Sequence, residues 1–301
     1  GEEVLLGFRE SYSSRVARLT DCKTLAYRAA KLIVPLRDTL QALTAKARIP
    51  QIEVVAGEAS VALVVRHLDP LADGDRARLA EFSARHGVCM YLQPGGYDDI
   101  HLLDSAQGDE LLSYSLTEFG VTLQFAVTDF IQANASLNAA LVSAAIMALR
   151  PQPGARVVDL FCGIGNFSLP LARRGARVTG IETAAGAVVR ARENAARNGV
   201  AGRCEFQVAD LYDPGYGELG GAQLLLLDPP RTGAGPNLSS WLLTPSLQRA
   251  VYVSCNPTTF AEDARVFLDH GFALAEVGIY DMFPQTAHIE TLGVFTRGAH
   301  G

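Results

Sequence analysis

The chain has 301 residues, of which 49% are apolar, 19% charged and 8% aromatic, a globular composition that excludes disorder through its bulk and a length that suggests about two domains. No run reaches the roughly 18 uncharged apolar residues of a membrane span and the N-terminus lacks a basic-then-apolar leader, so a cytoplasmic protein with no membrane partner is expected. The net charge of −6 argues against indiscriminate nucleic-acid binding by the whole surface. Residues 1–48 depart from this balance, with nine Lys/Arg against five Asp/Glu, a face suited either to tracking phosphates or to plain solvation. Five cysteines, Cys22, Cys89, Cys162, Cys204 and Cys255, are odd in number and form no CxxC pair, so no disulfide scaffold is expected. The opening Gly1-Glu2-Glu3 in place of methionine suggests a processed or trimmed piece.

In chain order, strand-like runs at 51–56, 60–66, 88–92, 110–114 and 121–127 surround helix-like stretches at 24–47 and 73–86. This predicts a small α+β domain over residues 1–129, with mainly antiparallel strands. From 130 the pattern alternates. Helices are predicted at 135–149, 167–174, 184–198, 237–248 and 258–269, and strands at 156–161, 177–181, 204–208, 223–227, 250–254, 273–280 and 289–296. Continuously apolar strands separated by helices indicate a doubly wound α/β domain over 130–301, its parallel sheet covered on both faces. The short connection 281–288 suits an antiparallel hairpin at the C-terminal edge.

In such a sheet, ligands sit at the carboxyl ends of the strands. The first end reads Asp159-Leu160-Phe161-Cys162-Gly163-Ile164-Gly165-Asn166, where the glycines allow a sharp turn and close approach to a ligand. Glu182 ends the second strand, placed to accept bonds from both ribose hydroxyls, and Asp210 follows the third, placed to receive an adenine amino hydrogen. The third glycine of a dinucleotide fingerprint is replaced by Phe167-Ser168, which favours a single adenosine-type ligand over a dehydrogenase cofactor. DLFCGIGNFS with an acid one strand later resembles the S-adenosylmethionine-binding motif of class I methyltransferases, and implies their Rossmann-like fold.

Two further strand ends carry reactive residue types. Asp228-Pro229-Pro230-Arg231 closes the fourth strand, and Ser254-Cys255-Asn256-Pro257 follows the fifth. A cysteine ahead of a new helix lies where the helix N-terminus favours thiolate, so Cys255 reads as a nucleophile and Cys89, Cys162 and Cys204 as packing residues. Glu290, opening the last strand, faces the substrate as a base if the hairpin returns to the same edge; His288 is a weaker candidate. The histidines show no metal-ligand spacing.

SCNP, HIE thirty-five residues later, DPPR, DLFCGIGNFSLPLA and DFIQAN together resemble the bacterial RNA 5-methyluridine methyltransferases, most nearly those acting on 23S rRNA. The likeness runs from GFRESYSSRV to DMFPQTAHIE, nearly the whole chain. It implies that Cys255 is the nucleophile and Glu290 the proton-abstracting base. It also implies that Gln132, Phe161, Asn166, Glu182, Asp210 and Asp228 contact S-adenosyl-L-methionine, Asp210 standing where the family often has Asn. The implied partner is RNA, either rRNA or tRNA, with specificity in residues 1–129 and whatever precedes them, and no obligate protein partner. Close relatives carry an N-terminal OB-like domain and an iron–sulfur cluster on four cysteines. Cys22 is similar to the last ligand and the other three have no counterpart, so either the piece supplying them is absent or the cluster has been lost. Two other readings stay open. DPPR resembles the DPPY of exocyclic-amine methyltransferases, against which Arg231 and Cys255 argue; a catalytically silent RNA-binding or assembly factor keeping the fold is the other.

Overall fold

Residues 61 to 65, all buried, make Val61–Arg66 (β2) an interior strand. Gln51–Ala56 (β1) pairs antiparallel on one side of it and Cys89–Gln93 (β3) parallel on the other, with His101–Leu102 (β4) beyond β3. A parallel pair needs a crossover, supplied by Asp73–His86 (α3), which ends at Gly87 in the left-handed conformation glycine tolerates. The single helix predicted over 24–47 is two, Tyr27–Ala30 (α1) and Ile33–Gln41 (α2). Pro35 has no N–H to give the turn before it, so the first helix stops and a second begins. Leu36, Leu40 and Leu43 join Leu63, Leu79 and Phe82 in the core of this part.

The structure, a computed structural model, describes residues 3–10, 12–104, 111–217, 219–282 and 289–298. They fall into two compact units, one reaching Ser113 and including Phe125–Thr128, the other comprising Tyr114–Gln124 and the chain from Asp129. Tyr114–Gln124 is the greater part of a hairpin, Leu112–Leu116 (β5) and Val121–Phe125 (β6). It belongs to the second unit because a helix there, Ala185–Arg197 (α6), treats β6 as a strand would. Asn194 of α6 accepts from the Gln124 amide at 2.9 Å and donates to its carbonyl at 3.0 Å. Asn198 does the same for Thr122 at 2.9 and 2.8 Å.

The second unit is built on a seven-stranded sheet. Arg156–Leu160 (β7), Arg177–Glu182 (β8), Cys204–Val208 (β9), Leu224–Leu227 (β10) and Arg249–Ser254 (β11) are parallel. Phe272–Tyr280 (β12) and Glu290–Arg297 (β13) form the expected antiparallel hairpin, β13 inserting between β11 and β12 to give the order β12-β13-β11-β10-β7-β8-β9. Ala135–Leu149 (α4), Ser168–Arg173 (α5), Leu238–Leu242 (α7) and Pro257–Asp269 (α8) complete the helices used below. The predicted helix 237–248 shortens to α7 because Pro245 disfavours helical backbone at Thr244. Trp241, Tyr252, Phe267 and Phe295, each 1% exposed or less, centre the core. Among the described residues no helix is long and apolar enough to cross a membrane.

A polar pair crosses this interior. Asp159, fully buried in β7, accepts a short hydrogen bond from the Ser168 hydroxyl at the start of α5, and its other oxygen lacks a partner among the described residues. Burial pushes its carboxyl up to about 7, with the Ser168 bond opposing and Glu182 adding to the shift. A raised carboxyl favours folding in its protonated form, so ionisation removes stability as pH climbs toward 7.

Two outcomes follow. Asn194→Ala leaves the Gln124 amide and the carbonyls of Gln124 and Ile164 without this partner and is expected to cost about 3 kcal/mol, read as a lowered Tm. Asp159→Asn keeps an acceptor for Ser168 but cannot ionise. Its stability relative to wild type should rise between pH 4 and pH 8, by up to about 4 kcal/mol, whereas a pH-independent difference would contradict the burial argument.

Candidate active site

Register builds the rim. Leu160 pairs with Ile181 on one side and Leu227 on the other, so Phe161, Glu182 and Asp228 emerge as one row at the carboxyl ends of β7, β8 and β10. Phe161 leaves with φ 63°, a left-handed conformation that costs a side chain about 1–2 kcal/mol and is held where surrounding structure over-determines it. Gly163 (φ 52°) and Gly165 (φ 96°) complete the turn, with open space beside Gly163 where a Cβ would stand.

Glu182 secures that turn. Its Oε2 accepts from the Gly163 amide at 3.1 Å and its Oε1 from the Ala184 amide at 2.9 Å, leaving a lone pair on each oxygen for a diol. Asp210 is exposed beyond β9, and its Oδ1 accepts from the Tyr212 amide at 2.9 Å, leaving Oδ2 and one lone pair on Oδ1 to face a ligand. Asn166 is committed within the protein. Its Oδ1 accepts from the Tyr114 hydroxyl at 2.9 Å and from Asn138 Nδ2 at 3.1 Å, while its Nδ2 donates to Asn138 Oδ1 at 2.9 Å. Its side chain thus ties the glycine turn to α4. Gln132 is half-buried on the strap before α4. That strap is tied at both ends, by Asp129 paired with Arg190 of α6 at 3.5 Å and by Asn134, which caps α4 and donates to the Met282 carbonyl beyond β12 at 3.2 Å.

On the other side of β10, Ser254 pairs with Thr291 and Tyr280 with Glu290. One step past the β11–β13 ladder sets Cys255 opposite Glu290. Cys255 is half-buried, and Glu290 is 7% exposed with Oε2 lacking a partner among the described residues. Burial lifts the Glu290 carboxyl to about 7. Half-buried Asp228 is also raised, by burial first and then by Glu290 and Asp159.

The expectation that the start of α8 favours a Cys255 thiolate is not met: the thiol is pushed up, by burial and by the Glu290 and Asp228 carboxyls, with Arg231 pulling it down. Pro257 at the first helical position has no N–H, and the Thr258 amide already serves the Asn256 side chain at 3.1 Å, so little of the helix terminus is left for sulfur. Arg231, which in the sequence stands out only as the departure from DPPY, acts on the thiol. Asp159 and Asn138 also went unassigned; the visible signal for Asn138 was a polar residue four past Asn134 in an apolar helix. His288 lies outside the described residues.

Cys22 lies in the first unit. Its Sγ is 3.0 Å from the Thr24 hydroxyl, and although burial tends to raise the thiol, that hydroxyl and the Thr24 and Leu25 amides bring it below its ordinary value. Among the described residues no group of three or more His, Cys, Asp or Glu is placed to hold a metal, so the donor set present does not fit a four-thiolate cluster. A cavity of about 1060 Å³ along β7, β8 and β9, with Arg156, Arg177 and Arg203 in its lining, contains none of the predicted cofactor or reacting residues.

The sequence profile of the tRNA (uracil-5-)-methyltransferase family matches residues 109–207 and 221–298. The chain is 43% identical to the 23S rRNA (uracil(1939)-C(5))-methyltransferase RlmD of Aromatoleum aromaticum, over 98% of this chain and 69% of that protein. The protein of the same name from an Azoarcus species is 45% identical, over 98% and 69%. Among solved structures, the Pyrococcus abyssi tRNA (uracil-54, C5)-methyltransferase in complex with S-adenosyl-L-homocysteine superposes with a TM-score of 0.76 at 23% identity, covering 96% of this chain and 72% of that one, and shares the fold. With the profile matched along more than half its length and full-span relatives at this identity, the chain belongs to the tRNA (uracil-5-)-methyltransferase family.

Proposed function

We propose that this protein methylates carbon 5 of a uridine in 23S rRNA, using S-adenosylmethionine, with Cys255 as nucleophile and Glu290 as base. The observation that carries the reading is a half-buried thiol set opposite a buried carboxyl, whose Oε2 lacks a partner among the described residues, across adjacent strand ends. Relatives at 43% and 45% identity are named for 23S rRNA, whereas the tRNA enzyme is 23% identical, which favours rRNA as substrate and hence a cytoplasmic location. Residues 1–129, with their basic first part, are assigned RNA contact.

The rim residues fit S-adenosylmethionine. Glu182 offers two free lone pairs beside an open glycine turn, Asp210 keeps Oδ2 and a lone pair on Oδ1, Phe161 and Asp228 belong to the same row, and Asn166 shapes the turn, with Gln132 assigned to the cofactor from the strap before α4. When bound, the cofactor would supply an electrophilic methyl group, whose bond to the sulfonium sulfur breaks on transfer and leaves a neutral thioether.

Uracil carbon 5 is too weak a nucleophile to take that methyl group unaided. Attack of the Cys255 thiolate on carbon 6 forms the S–C6 bond and moves the π pair toward carbon 5 and O4, and carbon 5 then accepts the methyl group. Glu290 removes the carbon 5 proton; the released pair re-forms the C5–C6 double bond and expels the thiolate. Arg231 is the counter-charge for the thiolate before attack and after release. The uridine reaches the rim unstacked, flipped or from a single-stranded loop. The exocyclic-amine reading has no use for this thiol and carboxyl pair.

Cys255→Ala should reduce methyl transfer by about 10⁴-fold or more while the Kd for S-adenosylmethionine stays near wild type; retained turnover removes the covalent route. Glu290→Gln should accumulate a protein–RNA adduct visible as added mass under denaturing conditions, and its absence counts against the base. Because the Glu290 carboxyl sits near 7, it is protonated and unable to act below that pH. Proton release from carbon 5, followed with tritiated RNA, should slow about tenfold per pH unit on the acid side.

A further inference from the structure

Beyond β10 the chain turns through Thr232–Gly235 before α7, and this turn is gripped on three sides. Asp263 of α8 receives two hydrogen bonds on one oxygen, from the Ala234 amide at 2.8 Å and from the hydroxyl of Tyr252 on β11 at 2.6 Å. Tyr212 donates to the Gly233 carbonyl at 2.6 Å, its hydroxyl also lying 2.9 Å from the Thr232 hydroxyl. The Arg231 carbonyl accepts from Asn256 Nδ2 at 3.0 Å and from the Thr259 hydroxyl at 3.4 Å. The seating is tight. A Cβ on Gly233 (φ 84°) would stand 2.8 Å from Asp263 Oδ2, and one on Gly235 (φ 83°) 2.5 Å from the Tyr212 ring.

Asn256, Thr259 and Asp263 follow one face of the start of α8 at helical spacing. That face grips the Arg231 turn, and its first residue adjoins Cys255. The residue that presents the thiol and the residue that carries the positive charge are therefore joined through backbone. Arg231 itself is exposed, and a long exposed side chain reaches one place reliably only if its backbone is held.

We propose that Asp263 and Tyr252 are positioning residues that hold the turn after β10 so that the Arg231 guanidinium stays beside Cys255. The proposal rests on the reading of Cys255 as nucleophile. The charged groups acting on this thiol come from three directions, Glu290 on β13 and Asp228 after β10 disfavouring the thiolate, and Arg231 favouring it. Loosening the turn withdraws the favourable charge and leaves the two unfavourable ones in place.

The test is the pH dependence of Cys255 alkylation by iodoacetamide in the full chain, read on the Cys255 peptide by mass spectrometry. Wild type is compared with Asp263→Ala, Arg231→Ala and the double variant. Asp263→Ala should move the midpoint upward by about one pH unit, slowing alkylation about tenfold below it, and should add nothing in the Arg231→Ala background. The sign discriminates, because deleting a carboxylate acting only through its charge would move the midpoint downward. An unchanged or lowered midpoint, or a shift that adds in full to that of Arg231→Ala, overturns the proposal. If Asp263→Ala does not fold, Tyr252→Phe decides. An upward shift that vanishes in the Arg231→Ala background supports the proposal, and no shift overturns it. Alkylation needs no methyl transfer, so turnover by Cys255→Ala would sink the nucleophile reading without touching this measurement.

Discussion

The insertion of β13 between β11 and β12 is the constraint on which the site depends. Five parallel strands bring the residues proposed to bind the adenosine moiety to one edge of the sheet, the usual place for a ligand in a doubly wound domain. An antiparallel strand entering from the opposite direction begins where its parallel neighbour ends. The start of β13 and the end of β11 therefore meet, and Glu290 and Cys255 become neighbours although thirty-five residues separate them. A slip of one residue would turn the Glu290 side chain to the other face of the sheet. The register is held by Leu292, Val294 and Phe295, buried against the core.

Carboxyl groups that water would keep apart gather at this edge, Asp228 and Glu290, and in the interior just behind it, Asp159. Asp159, Asp228 and Glu290 are all raised, each chiefly by burial, because a low-dielectric surrounding disfavours a negative charge. For the base proposed at Glu290 this is useful, since a carboxyl near 7 both accepts and gives up a proton close to neutral pH. For a thiolate it is a handicap, and the Arg231 turn answers it. The site's electrostatics are those of a few charges held at fixed places, which is why backbone anchorage by Asp263, Tyr252, Tyr212 and Asn256 bears on the chemistry.

Hydrogen bonding by asparagine recurs as the means of attachment. Asn194 and Asn198 on α6 give β6 the donors and acceptors of a neighbouring strand, Asn138 and Asn166 lock the glycine turn to α4, and Asn134 and Asn256 cap helices while reaching a second segment. An amide side chain carries both a donor and an acceptor, so one residue satisfies a backbone N–H and C=O together. Such residues look like ordinary turn formers in the sequence.

Periodicity and composition by themselves determined the doubly wound domain, most strand limits, the C-terminal hairpin and the strand ends that carry Glu182, Asp228 and Cys255, because continuous apolar strands between helices admit few topologies. Proline misled the helix limits at 24–47 and 237–248, where a lost N–H or a clash with the preceding residue outweighed apolar spacing. Only the tertiary structure decided that the thiol of Cys255 is raised, that Asn166 is spent on internal bonds, that the Arg231 charge acts on this sulfur and that Asp263 accepts from the turn that follows Arg231. These properties depend on burial and on distances between residues far apart in the chain, and a linear sequence carries neither.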